Sequence, residues 1–381
     1  MAPRVGKPSR SGDNLRDPRV ANLAKILVGY STGVKQDESC LIEGPSAAEA
    51  LIAAVYDEVL AAGAHPVVSM SFDEQQSTYF AHASDPQLEW ISPLSKWAAD
   101  EADCRIAIGA DTNTRALSAV APERQTKRQA ATRPLMESMM RRSAEGSHRW
   151  VYTIFPTNAY ASDAGMSLTA FEDFYFGACL ADQGDPLENW KQASEETRRL
   201  AEYVNGHSEV HITAPGTDLR LGVEGRTFIP CFGDRNMPDG EFFTGPVEDS
   251  VEGEVSFDLP AMVGGREVAG VRFRFEGGKI VDASADLGEE FLIKLIDTDE
   301  GARRLGELGI GTNYKIDRGT RDVLLDEKIG GTVHLAVGAS YPESGGVNES
   351  AVHTDLVCDL RKGGRIELDG ELIQENGKFV V

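Results

Sequence analysis

The chain has 381 residues, 41% of them hydrophobic, which is enough to enclose sizeable cores and to form two domains. Its 61 acidic residues against 38 basic ones leave a formal charge of −23, which repels phosphate backbones and excludes nucleic acid as a partner. No apolar run approaches membrane-spanning length, and the polar, basic start "MAPRVGKPSRSGDNLRDPR" lacks the apolar stretch of a secretory signal, so a cytoplasmic protein with no membrane partner is expected. The cysteines, Cys40, Cys104, Cys179, Cys231 and Cys358, are widely spaced with no C-x-x-C, which predicts free thiols rather than a disulfide framework or a thiolate zinc site.

Residues 1–16 read as a flexible leader. From Asp17 the pattern becomes helical: "DPRVANLAKILVGYS" spaces Val20, Leu23, Ile26 and Leu27 on one face, with Asp17 as N-cap and Pro18 at the first helical position. "ESCLIEGP" reads as a short strand. "SAAEALIAAVYDEVLAAGAHPVVSMSF" then gives a helix opened by Ser46 and Glu49 in the manner of a capping box, closed near Gly63 and followed by a strand over 66–70. Strand, helix and strand in about thirty residues make a βαβ unit and imply a parallel sheet. The alternation recurs through "CRIAIGA" and "RWVYTIFP". No G-x-G-x-x-G follows any strand, so this α/β shape carries no nucleotide expectation.

A charged helix over 185–206 stops at Asn205-Gly206, and the texture then changes to short alternating runs separated by Gly, Pro and Asp turns. The fold class expected is α/β: an N-terminal layered domain with a parallel sheet, residues 17–206, followed by a mainly-β (α+β) domain, residues 207–381. One helix is expected in the second half, in "EEFLIKLIDTDEGARRLGEL".

Oxygen and nitrogen ligands suited to a divalent ion gather in this second half. Glu241 follows a Pro-Asp-Gly turn, where backbone rigidity can aim a carboxylate inward, although alone an exposed turn glutamate is the ordinary reading. Glu307 stands in an apolar, glycine-bearing stretch; it is either buried beside a cation or several donors, or solvated if a helix ends at Gly306. His334 sits in the β-like run "GTVHLAVGA", with Tyr341 seven residues on, and alone reads as a core histidine. In "VNESAVHTD" an extended backbone sends His353 and Asp355 to the same face, to hold a metal ion or to form a buried pair. Together the five are the nitrogen and oxygen set that zinc, cobalt, manganese or iron accept. They exceed the three ligands of a single catalytic zinc and suit two ions sharing a carboxylate, an arrangement fitted to amide hydrolysis.

Four blocks carry a resemblance: "NMPDGEFFTGPVEDSVEG", "GARRLGELGIGTN", "DEKIGGTVHLAVGASYPESGGVNESAVHTDLVCDLR" and "DGELIQENGKF". In this order they are similar to the thermophilic-type metallo-aminopeptidases, the family of aminopeptidases T and S. The resemblance implies that residues 207–381 form a metal-binding catalytic domain in which Glu241, Glu307, His334, His353 and Asp355 hold two divalent ions (zinc, cobalt or manganese), with Glu307 touching both. It implies that Tyr341 serves the active site, that Glu307 or Glu241 carries the proton, that the substrates are peptides with a free N-terminus, and that the enzyme is a homodimer. The stretch between Tyr341 and His353 is short, so substrate preference does not carry over. Glu327 and Lys328 match the third block and are read as supports of the ligands only, since a charged pair beside a Gly-Gly turn is more often at the surface. Two other readings remain open: a non-haem iron dioxygenase using His334, His353 and Asp355, and a metal-stabilised dimeric binding protein with closed coordination.

Overall fold

The structure is a computed structural model that describes residues 17–381 apart from Gly264; the leader expected at 1–16 lies outside the described residues. Asp17 caps the first helix, Pro18–Lys25, accepting from the Arg19 amide at 2.9 Å, and the chain runs on into a wider π turn, Ile26–Ser31. Strands Ser39–Pro45 and His65–Ser71 flank helix Glu49–Ala61 and pair in parallel, which is the βαβ unit read from the sequence. Ser46 does not cap that helix. Residues Ser46–Ala48 form a 3-10 turn, and the helix begins behind it without a side-chain cap.

Strands Cys104–Gly109 and Arg149–Ile154 extend the sheet, and Asn236–Met237 closes its edge, all in parallel. Burial is deepest in the central strands, at Cys40, Leu41 and Ile42 and at Cys104, Ile106 and Ile108, while the edge strand His65–Ser71 stays partly exposed. Leu23 of the first helix and Ile26 and Leu27 of the π turn pack with Val55 and Val59 of the second helix in one core, which also takes in Ile42, Ile106, Val151, Tyr175 and Trp190. Met237, Ile316, Leu324, Leu325 and Ile329 belong to this same core, so the second half of the chain contributes to it. Helix Pro186–Val204, capped by Asp185, spans both cores: Trp190 lies in the first, and Leu200, Ala201 and Val204 in the second.

Two antiparallel sheets enclose the second core. The larger has eight strands running from Lys279–Ser284 at one edge to Lys378–Phe379 at the other. The smaller carries the site, in the order His353–Asp359, Thr332–Gly338, Leu305–Gly311, Glu241–Thr244 and Ile229–Cys231. The helix expected over 289–308 is shorter than its sequence suggested: Glu289–Ile296 is helical, whereas Leu305–Gly311 is the middle strand of this sheet. Two features account for the change. Asp299 binds the amide of Ala302 and turns the chain, and Gly306, Gly309 and Gly311 give a helix no support.

One face of the small sheet supplies Phe242, Leu308, Ile310, Val333, Leu335, Val337, Leu356 and Cys358 to the second core. Successive side chains alternate between faces, so their neighbours point the other way, into the site. Leu335→Ala, on the core side of the strand that bears His334, should lower unfolding free energy by about 2–5 kcal/mol in a denaturant titration.

Candidate metal centre

The strand register brings the candidate ligands together. Gly309 lies opposite His334, and Glu307 opposite Ala336. On the other side of the His334 strand, Asp355 pairs with Ala336 and His353 with Gly338. Gly311 faces Glu241, which in turn faces Cys231. Glu241, Glu307, His334, His353 and Asp355 therefore share one face of one sheet, separated by glycines and an alanine that leave room above the floor. Gly309 is decisive here, because a Cβ on it would lie 1.9 Å from Nε2 of His334: the imidazole rests directly on the bare backbone.

Glu307 stands at the centre, buried rather than solvated. Its Oε1 is 3.2 Å from Nε2 of His334, and its Oε2 is 3.5 Å from Nε2 of His353. His334 Nε2 also lies 3.5 Å from Oε2 of Glu241, and His353 Nε2 lies 3.6 Å from Oδ2 of Asp355. Glu307, His353 and Asp355 each offer a ligand atom within 4.8 Å of the others. Ring tautomers follow from the partners. Nδ1 of His353 donates to the carbonyl of Ala339 at 2.9 Å, which leaves Nε2 free to bind a cation.

Glu327 and Lys328, read from the sequence as surface-prone supports, lie inside the cluster. Nζ of Lys328, 1% exposed, donates to Oε1 of Glu241 and to Oε2 of Glu327, each at 2.8 Å. Asp239 and Cys231 complete this flank and were not foreseen. Asp239 accepts from the amides of Gly233 and Gly240, and Cys231 is delivered by the short strand paired with Glu241. Cys231, Asp239 and Glu241 also offer ligand atoms within 4.8 Å of one another, but burial and the nearby carboxylates hold the Cys231 thiol protonated. No spacing around Cys231 signals this; the Asp-Gly turn before Glu241 was the one hint at Asp239.

Tyr341 is 40% exposed at the rim, with its ring edge-on to His353 at 5.0 Å and to Phe243 at 5.4 Å. Its loop is anchored by Ser344, whose hydroxyl donates to the Tyr341 carbonyl and accepts from the Gly245 amide. Asn348 donates to the carbonyls of Gly301 and Gly338, and Asp299 accepts from Ser350 and the Ala351 amide, which fixes the chain ahead of His353.

The electrostatics show what the cluster lacks. Burial favours neutral carboxyls, and it raises the pKa of Asp239 to about 7, even against the pull of Lys328. Burial likewise raises Glu241 and, reinforced by Glu327 and Glu307, Asp355. Burial alone would lower His334, but Glu241 and then Glu307 lift it to about 10. Oε2 of Glu241, Oδ1 of Asp355 and Nδ1 of His334 are buried without a hydrogen-bond partner. Buried acids in excess, with orphaned carboxylate oxygens and the Nε2 atoms of two imidazoles facing them, fit divalent cations.

Comparison with known proteins agrees with this chemistry. The family model for thermophilic metalloprotease (M29) matches residues 16–379. Aminopeptidase T of Thermus thermophilus is 31% identical over 321 residues, 76% of this chain and 77% of that protein. Aminopeptidase PepS of Streptococcus thermophilus is 27% identical over 396 residues, 91% of this chain and 92% of that one. The solved structure of wild-type AmpT from Thermus thermophilus superposes with a TM-score of 0.84 at 25% identity, covering 95% of this chain and 99% of that one. A 2,5-dihydroxypyridine dioxygenase from Pseudomonas putida KT2440 superposes with a TM-score of 0.58 at 13% identity over 95% and 97% of the two chains, which shows a shared fold alone.

Two outcomes follow from the geometry. Gly309→Ala should displace the His334 ring and weaken zinc binding by roughly 10- to 100-fold, measured by competition with a chromophoric chelator, with the far-ultraviolet dichroism retained. His334 holds a proton at pH 7 and must release it to become a ligand, so zinc loading should expel protons. Zinc affinity should rise about tenfold per pH unit for each proton displaced between pH 6 and 9, as read by calorimetry in buffers of different ionisation enthalpy.

Proposed function

The chain belongs to the thermophilic metalloprotease family (M29), and from that premise we propose that it is a metal-dependent aminopeptidase that removes N-terminal residues from peptides with water activated between two divalent ions. The observation that carries the reading is the placing of Glu307, with one carboxylate oxygen toward each of two imidazoles. Glu241, Glu307 and His334 would hold one ion, and Glu307, His353 and Asp355 the other. Charge supports the count. Among the described residues the cluster gathers the carboxyls of Asp239, Glu241, Glu307, Glu327 and Asp355 and the ammonium of Lys328, and when all are ionised the excess negative charge equals what two dications bring. The oxygen and nitrogen donors suit zinc, cobalt or manganese.

The chemistry that divalent ions held by these residues would supply is polarisation of the scissile carbonyl and a water acidic enough to attack near neutral pH. The remaining work falls to the protein. A carboxylate of the cluster that the ions leave unsaturated, Glu307 or Glu241, would carry the proton from the attacking water to the leaving amine. Tyr341, whose phenol is kept protonated by partial burial and by the charges of Glu307 and Asp355, donates a hydrogen bond to the oxyanion of the tetrahedral intermediate. The acidic lining draws in the substrate's free α-ammonium. On the family resemblance the enzyme is a homodimer, with a mass of twice the 41.2 kDa chain. Among the described residues no helix is long and apolar enough to cross a membrane.

The dioxygenase reading is not favoured. Its triad needs His334, His353 and Asp355 around one iron with open positions, whereas His334 is turned toward Glu241 and Glu307, and those two carboxylates would fill the openings.

The test is a panel of aminoacyl fluorogenic amides assayed with metal-free, zinc, cobalt and manganese protein. Release should require metal. Glu307→Ala and His353→Ala should each reduce kcat by about 1000-fold or more, and Tyr341→Phe should lower kcat by roughly 100-fold with little change in KM. Undiminished turnover by both alanine variants in metal-replete buffer would reject the assignment.

A further inference from the structure

Lys328 has no place in the five-ligand scheme, yet it is among the most completely buried large side chains in the molecule. Burying an ammonium costs several kcal/mol unless it is closely paired, so its position calls for a function. Its backbone is held from both sides: the amide donates to the Leu325 carbonyl at 3.2 Å, and the carbonyl accepts from the Asn313 amide at 3.0 Å. Asn313 in turn donates through Nδ2 to the Asp239 carbonyl, which ties Lys328 to the turn that launches Glu241. The side chain leaves this fixed point and spends two of its three donors on different carboxylates, Oε1 of Glu241 and Oε2 of Glu327.

The oxygens are thereby sorted. Oε1 of Glu241 is engaged by the ammonium, while Oε2 is buried without a hydrogen-bond partner and lies 3.5 Å from Nε2 of His334. An unrestrained glutamate could bind an ion through both oxygens or turn away into the larger carboxylate cluster. Here only one oxygen is presented, in one direction.

We propose that Lys328 is a positioning residue of the metal centre, whose buried ammonium fixes Glu241 through Oε1 so that Oε2 alone is presented to the ion on the His334 side. This rests on the two-ion reading above and deepens it: the two ion positions become unequal, because the Glu241–His334 half is bonded to the internal cation directly, whereas Asp355 of the other half meets it only through Glu327. On the other half, Glu307, His353 and Asp355 have no contact with Lys328 that could orient them directly.

The experiment is calorimetric titration of zinc into the metal-free full-length protein and into Lys328→Met, with Glu241→Ala as the reference for losing the same half. The wild type should take two equivalents. Lys328→Met should bind one ion as before and the other roughly 10- to 100-fold more weakly, as in Glu241→Ala but to a lesser degree. Two equivalents with unchanged affinities in Lys328→Met would overturn the proposal, and so would equal weakening of both ions, which is what a merely structural role produces. A wild type that takes fewer than two equivalents would instead overturn the two-ion reading on which the proposal stands. Removing the ammonium alone leaves Glu241 and Glu327 facing each other, so Lys328→Met can fail to fold. In that case Glu327→Gln/Lys328→Met, which deletes one charge of each sign, takes its place: selective weakening of the ion that Glu241→Ala weakens supports the proposal, and unchanged binding, equal weakening or weakening of the other ion alone overturns it.

Discussion

Negative charge held out of water on one face of a small antiparallel sheet is the constraint around which this molecule is arranged. Isolated buried carboxylates either take up protons or gather cations. Here the acids divide by neighbour. Lys328 holds Glu327 ionised despite burial, whereas burial and then the charges of Glu327 and Glu307 push Asp355 toward protonation. One internal lysine satisfies one flank, and the rest of the cluster stays open to metal. The family's description as a metalloprotease and the electrostatics of these residues therefore point the same way.

The sheet makes such a cluster possible because its two faces do opposite jobs. Toward the core, leucine, valine and phenylalanine side chains bury apolar area and lock the register; toward the site, the same strands alternate ligands with Gly309, Gly311, Ala336 and Gly338. A slip of one residue would exchange the faces and send the ligands into the core. Apolar packing on one side thus fixes the directions of carboxylates and imidazoles on the other. The parallel sheet of the N-terminal half adds its own support through Met237 and the segment 316–329, which share its core and carry the chain into the Asp239 turn and into Lys328.

Much of this was legible in the residues. Alternation in "VNESAVHTD" placed His353 and Asp355 on one face, and the βαβ rhythm foretold the parallel sheet. What could not be read was mostly long-range. The "GELGIG" segment has no strong alternation of its own, since glycine contributes to neither pattern, so Glu307 looked like the end of a helix until its pairing with two neighbouring strands made it the middle of a sheet. Glu327 and Lys328 read as supports of the ligands and not as a buried pair, because nothing local tells a solvated pair from one buried against a carboxylate 87 positions earlier in the chain. Cys231 entered the cluster through strand pairing alone, with no motif to announce it. Gly309 was visible as a glycine, but its purpose is defined by the ring lying on it.

Everything described for the site turns on Glu307 lying between two cations rather than beside one. The most direct measurement is anomalous scattering from crystals of the protein loaded with zinc, collected on both sides of the zinc absorption edge. The account predicts two peaks per chain, one between Glu307 and the His334–Glu241 side and one between Glu307 and the His353–Asp355 side. A single peak, or peaks remote from the carboxylate of Glu307, would contradict it.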